Sequence, residues 1–298
     1  MNFKQRLSIV KDTFIEFFGE EPLAHGAALA YYTLLALIPM LYLSITYVGM
    51  FLGQETMVNV ISEVMRENIG LSNIDGVLDL LSSVNFEKAN VLIQIGGIIA
   101  LLFSCSAIFG SMKRSLNAFY DIDPPKASGR KMILSTIITK LVSMSFVVGA
   151  TIVLLLLYFA ETVFLSLNKR FFEDMEALNW FFTGIAQHGI PIVTNVILFT
   201  FIFKFLHDGQ VRWKMAIRGA VVTSLLLYLG QVLIKFYLGK YFFASGSGIA
   251  GSFLVILVWV YYSSQIIFFG AKYIFVLSRA KGYDIQNKVI KISTKVGD

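Results

Sequence analysis

From Ile249 to Leu277 the chain is almost continuously apolar, and between Phe253 and Phe275 the only charge is Lys272. Such a run exceeds the roughly 20 apolar residues that a helix needs to cross a bilayer core, so it predicts a transmembrane helix over 253–276. Tyr261, Tyr262, Ser263, Ser264 and Gln265 interrupt it near mid depth, where an unpartnered polar group is costly. Tyr261, Ser264, Gln265 and Phe268 fall at i, i+3, i+4, i+7 and make one stripe expected to face other helices, with Leu254, Val255 and Ile266 turned to lipid. Five more apolar stretches predict spans over 27–52, 91–112, 141–165, 185–205 and 215–236.

The remaining pattern fills in around these six spans. Phe3, Leu7, Val10, Phe14, Phe17 and Phe18 keep a helical apolar stripe among charged residues, which suits a helix on the membrane surface or one packed on other protein. Pro39 bends the first span, as a structural kink or a gating one. The polar excursion 53–90 holds two amphipathic patches and reads as an outer helical hairpin, followed by a second span rich in small residues from Ser104 to Ser111. Pro124 and Pro125 are expected to stop the helix that continues beyond it. The third span, the most aliphatic, is expected to see more lipid. The fold class is therefore all-α: a polytopic membrane protein forming one transmembrane domain over 1–298, a six-helix bundle with an N-terminal interfacial helix and a tail over 278–298.

Composition agrees. Hydrophobic residues make up 56% and charged residues 15% of 298, with mean hydropathy +0.72; soluble domains carry about 25% charged residues. Cys105 is the single cysteine, so there is no intramolecular disulfide and no Cys/His metal motif. The net charge of +6 raises nucleic acid as a partner, but location decides the matter. Nineteen of the 25 Lys and Arg fall on one side of the six-span topology, together with both termini. By the positive-inside rule that side is cytoplasmic, and topology rather than nucleic-acid binding accounts for the charge.

Several stretches carry a resemblance. Ala27 to Leu34 leading to Leu37, Ile38 and Pro39 resembles the first-helix signature of the YihY and virulence factor BrkB membrane proteins. Ser104, Ser106 and Phe109 with Lys113, Arg114, Leu116, Asn117, Ala118 and Tyr120 resemble the family's second-helix end. Trp213, Arg218, Gly219 and Ala220, then Gly246 to Gly251, Trp259, Tyr261, Gly270 and Ala271, resemble its last two helices. Lys272 departs from the pattern, which has an acidic residue there. The resemblance implies a bacterial inner-membrane protein of six helices, with an older ribonuclease BN label and links to envelope integrity or lipid export.

The chemistry narrows the options. RNA hydrolysis requires clustered metal ligands or an acid–base pair, and His25, His188 and His207 stand at three separate helix ends without metal-binding spacing. No nucleophile elbow is present, and Ser245 to Gly248 reads as a flexible outer loop or as a reentrant segment. Glu161 and Lys235, near outer helix ends, are a candidate pair. Uncharged polar residues, Tyr31, Tyr32, Ser104, Ser106, Asn195, Gln231, Ser264 and Gln265, either hold the bundle together or line an interior path. Lys113, Arg114, Asn117, Lys140, Lys204 and Arg218, with Tyr120, either anchor helix ends or gather an anionic lipid headgroup. The expectation is a transporter or flippase of an anionic envelope lipid, or a noncatalytic scaffold for envelope assembly. No enzyme activity, cofactor or metal is expected. Expected partners are membrane lipids, with a second copy of the chain or envelope-assembly proteins as further candidates.

Overall fold

The computed structural model describes residues 2–43, 50, 53–64, 91–123, 163–164, 176–237 and 249–285. Among them the regular structure is helical: α1 (Phe3–Gly19), α2 (Pro22–Leu43), α3 (Gln54–Val64), α4 (Val91–Phe119), α5 (Glu176–Gly184), a π-helical turn (Ile185–Gly189), α6 (Ile190–Phe205), α7 (Trp213–Tyr237) and α8 (Ile249–Ala280). Among the described residues three segments are long and apolar enough to cross a membrane, Ile99–Phe119, Trp213–Ile234 and Phe253–Ala280; Pro22–Leu37 and Ile190–Phe205 are shorter apolar helices. Nearly all of the expected third span, the second helix of the outer hairpin, Glu161, Lys140 and the Gly/Ser turn at 245–248 lie outside the described residues.

The helix ends have local causes. α2 starts at Pro22, five residues before the expected span, because a proline in the first turn gives up an amide that has no helical acceptor there. The π turn ends where Ile190 N–H reaches back to Ile185 O. Pro191 follows directly, and the widened turn accommodates a ring that would otherwise crowd the carbonyl four residues back. α4 continues seven residues past the expected span, as a helix running on beyond it was expected to do, but closes at Phe119, ahead of Pro124 and Pro125. Asp121 takes a left-handed conformation (φ 54°), and Ile122 N–H and Asp121 N–H bond Asn117 O and Ala118 O, at 2.9 and 3.0 Å. This is a Schellman closure. α8 ends the same way, with Gly282 at φ 69° and Tyr283 N–H bonding Ser278 O at 2.9 Å.

The chain forms two compact units. The first comprises 1–20, 113–226 and 267–298. In it α1 packs the stripe Ile9, Thr13 and Phe17, while Leu7, Ile15 and Phe18 remain exposed. Phe17 lies 5.5 Å from Phe119 and 5.6 Å from Phe269, and Phe119 stacks on Phe268 at 5.1 Å. Lys272 is a buried lysine matched by α1: its Nζ is 2.9 Å from Glu20 and 3.8 Å from Glu16, and Arg279 also pairs with Glu16. α7 and α8 approach closely, with Gly219 against Ile274 and Gly270 against Thr223.

The second unit comprises 21–112 and 227–266. Here α8 receives α2 at Gly26, whose missing side chain leaves room for Gln265 and Ser264, and α7 at Gly230, against the Tyr262 ring. Of the three residues expected to face lipid, Leu254 is exposed but Val255 and Ile266 are buried, at 2% and 8% exposure. They lie eleven residues apart, three helical turns, and so share a second packed face. A helix contacted on more than one side leaves only part of its apolar surface for lipid.

Candidate functional site

The basic residues at the end of α4, the end of α6 and the start of α7 belong to the first unit. Lys113 and Asn117, one turn apart on α4, both reach Asp208 in the turn after α6. Lys113 Nζ is 2.8 Å from Asp208 Oδ1; Asn117 Nδ2 donates to Oδ2 at 2.9 Å, and Asp208 N–H donates to Asn117 Oδ1 at 2.9 Å. His207 is buried beside them. Its Nδ1 accepts from Gly209 N–H at 3.0 Å, so Nε2 bears the proton and donates to Phe203 O at 2.7 Å. Both nitrogens of a neutral ring thus hold the turn. Tyr120 packs its ring 4.7 Å from that of His207, and burial pushes its phenol well above the ordinary value.

This arrangement redistributes the sequence candidates. Lys113 and Asn117 are committed to a carboxylate of the chain itself, and Tyr120 is fully buried. Asn117→Ala removes two bonds around a charged acceptor and is expected to cost about 2 kcal/mol in denaturant unfolding. Lys113→Met, which removes a partly hydrated ion pair, should cost about 0.5 kcal/mol. Equal losses would mean that the ion pair holds the turn as firmly as the amide does.

Lys204 and Arg218 take part in something different. They line a cavity of about 910 Å³ together with Arg212, Lys214 and Lys281, so five cations surround it against one carboxylate, Asp284. Lys204 donates to Val211 O and lies 5.5 Å from the Trp213 ring; Arg212 stacks 3.6 Å over Tyr283. Lys214, Arg218 and Lys281 have no carboxylate partner among the described residues. The wall includes the first turn of α7, where Met215 and Ala216 N–H close on Arg212 O, and the positive end of the helix dipole adds to the cations. Such a site can hold an anion, and phosphate oxygens suit both the arginine forks and the lysines. The Schellman turn of α8 positions Lys281 and Tyr283 here. Arg212, Lys214 and Lys281 were not among the sequence candidates, although the basic pair flanking Trp213 was a legible signal. Arg114 is exposed.

The interior candidates are dispersed. In the second unit Gln265 Nε2 donates to Pro22 O at 3.0 Å, and Ser264, almost fully buried, donates to Tyr261 O at 2.6 Å. Ser104 is buried, Gln231 and Ser106 are half-buried, and Tyr31 is 57% exposed with its ring 5.8 Å from that of Tyr32. Asn195, half-buried, belongs to the first unit. Among the described residues no group of three or more His, Cys, Asp or Glu could hold a metal ion.

Comparison with known proteins places this geometry in context. The family model described as virulence factor BrkB matches residues 19–289. The ribonuclease-like protein YfkH of Bacillus subtilis is 22% identical over 289 residues, 94% of this chain and 99% of that protein. UPF0761 membrane proteins of Rhodospirillum centenum and Kangiella koreensis are 24% and 23% identical over 89% and 91% of this chain, which spans 56% and 64% of their lengths. No solved structure matches.

Proposed function

We propose a function that starts from one fact: this chain belongs to the virulence factor BrkB family of membrane proteins. Its role is to bind an anionic lipid of the bacterial envelope at the inner face of the plasma membrane and to move it, as a transporter or flippase. The observation that carries this reading is the cavity with five cations and one carboxylate at the start of α7. Basic pockets between helices on the cytoplasmic side recognise acidic headgroups, and the positive-inside rule assigns this end of the helices, with both termini, to the cytoplasm.

A scaffold for envelope assembly is the second reading. Gln265 supports it, since its hydrogen bond to Pro22 O ties α8 to α2, and Ser264 is spent on the backbone of its own helix, instead of either group being left open to a moving substrate. A ribonuclease role has less support: of the three histidines, His207 has both ring nitrogens engaged by the backbone.

Mass spectrometry of lipids retained by the purified protein tests the first reading. The native chain is expected to hold one class of anionic lipid above its share of the bulk membrane, and an Arg212→Gln, Lys214→Gln double variant should lose about tenfold or more of that excess. This is the scale set by about 1 kcal/mol for each basic residue near an acidic lipid surface. Retention matching the bulk membrane in both proteins would put the scaffold reading first.

A further inference from the structure

A second cavity, of about 540 Å³, is lined by Arg6, Ile9 and Val10 of α1, Tyr273 and Leu277 of α8, and Arg218 and Lys281. Arg218 and Lys281 also wall the basic cavity. The two cavities therefore adjoin across one pair of cations, yet they differ in chemistry. One combines five cations with a helix N-terminus; the other sets Ile9, Val10, Tyr273 and Leu277 beside three cations, Arg6, Arg218 and Lys281. A free anion can meet cations in either, but it gains nothing from the apolar wall of the second. An amphiphile with one phosphate and a hydrocarbon chain would use both: its phosphate between the α7 start and the shared pair, its chain along Val10 and Tyr273, over the nearly buried Ile9 and Leu277.

We infer that these two cavities form one bipartite site for a phosphate-bearing lipid, with Arg218 and Lys281 at the junction of headgroup and chain. This rests on the headgroup reading above and goes beyond it, because it assigns α1 a place in the ligand site. Charge complementarity supports the occupant: no carboxylate lines the second cavity, so an anion crossing the junction meets only cations there. The apolar wall supplies what a soluble phosphate compound could not exploit, at about 25 cal/mol per Å² of apolar surface covered.

Phosphatidic acid carrying a diazirine near the start of an acyl chain is the probe, incorporated at low fraction into phosphatidylcholine nanodiscs with the full-length protein. The inference expects crosslinks concentrated in peptides containing Ile9–Val10 and Tyr273–Leu277, weakened at least fivefold in Arg218→Gln. Phosphatidylcholine with the same diazirine should label these peptides at least fivefold less. Excess inorganic phosphate, which competes for the cations but not for the apolar wall, should reduce the labelling without moving it elsewhere. Val10→Asn, at an exposed position that does not threaten the fold, should lower labelling while leaving selective retention of anionic lipid in place. Equal labelling by the two lipids, or labelling indifferent to Arg218→Gln, overturns the bipartite site. If Arg212→Gln, Lys214→Gln still abolishes selective lipid retention in that case, only the inference has failed; if retention is also unselective, the headgroup reading falls with it.

Discussion

Exchanging Glu16 and Glu20 together for glutamine is expected to lower the unfolding free energy by about 3 kcal/mol, while Lys272→Met should cost about 1 kcal/mol or less. The asymmetry follows from burial. The Lys272 side chain is 3% exposed, whereas its carboxylate partners, 2.9 and 3.8 Å away, are 32% and 28% exposed. Removing the carboxylates leaves an ammonium with little water, facing the Phe275 ring 4.6 Å from it. Removing the lysine leaves two carboxylates that water can reach, one still paired with Arg279. Methionine fills much of the volume of the lysine stem. Denaturant unfolding in detergent micelles, with the triple variant returning close to Lys272→Met alone, would confirm that the cost lies in the stranded charge. A Lys272→Met variant as damaged as the double glutamine variant would show that the lysine contributes net stability.

Gly270→Ala is expected to be nearly as severe, at about 2–3 kcal/mol, the upper part of the range for overpacking a close contact. A methyl there would stand 1.9 Å from Thr223 Oγ1 and 3.1 Å from the Phe203 ring. Thr223 is fully buried and its hydroxyl has no hydrogen-bond partner among the described residues, so Thr223→Ala alone gives up no bond and should cost about 1 kcal/mol or less. The double variant should recover more than half of the Gly270→Ala loss. Thermodynamic double-mutant cycles would then report a coupling of about 1–2 kcal/mol, and additive losses would show that the methyl is relieved by movement elsewhere.

The apolar runs made α7 and α8 legible within a few residues, because a helix crossing hydrocarbon has to satisfy its own backbone and leaves a long uncharged signature. Helix ends were less legible. α4 stops on the left-handed conformation of Asp121, which depends on a turn geometry that residue types suggest only weakly, and not on the conspicuous prolines after it. α1 carried a stripe compatible with membrane or protein, and only the arrival of Phe119, Phe269 and Lys272 shows which of its residues pack. Val255 and Ile266 were misassigned because an aliphatic side chain suits lipid and a helix neighbour equally well. The site shows the same limit. Lys113 and Asn117 looked like a free basic rim until Asp208, 91 residues beyond Asn117, came into reach. Lys214 and Lys281 look unrelated in sequence until the end of α8 returns to the start of α7.

The partners of α1 are almost the whole chain away: Glu20 meets Lys272 across 252 residues, and Glu16 meets Arg279 across 263. At about 5–20 residues per second, a ribosome that has just released α1 needs roughly 13 to 50 s before those partners exist. During synthesis the N-terminal helix therefore waits without its counter-charges, carrying Leu7, Phe14, Ile15 and Phe18 as an apolar surface. The bilayer face is the natural holding place for such a segment. Docking of α1 becomes a final proofreading step: a chain truncated before Lys272 keeps the aromatic contacts of Phe17 but has no counter-charge for Glu16 and Glu20, and holds its first helix less tightly.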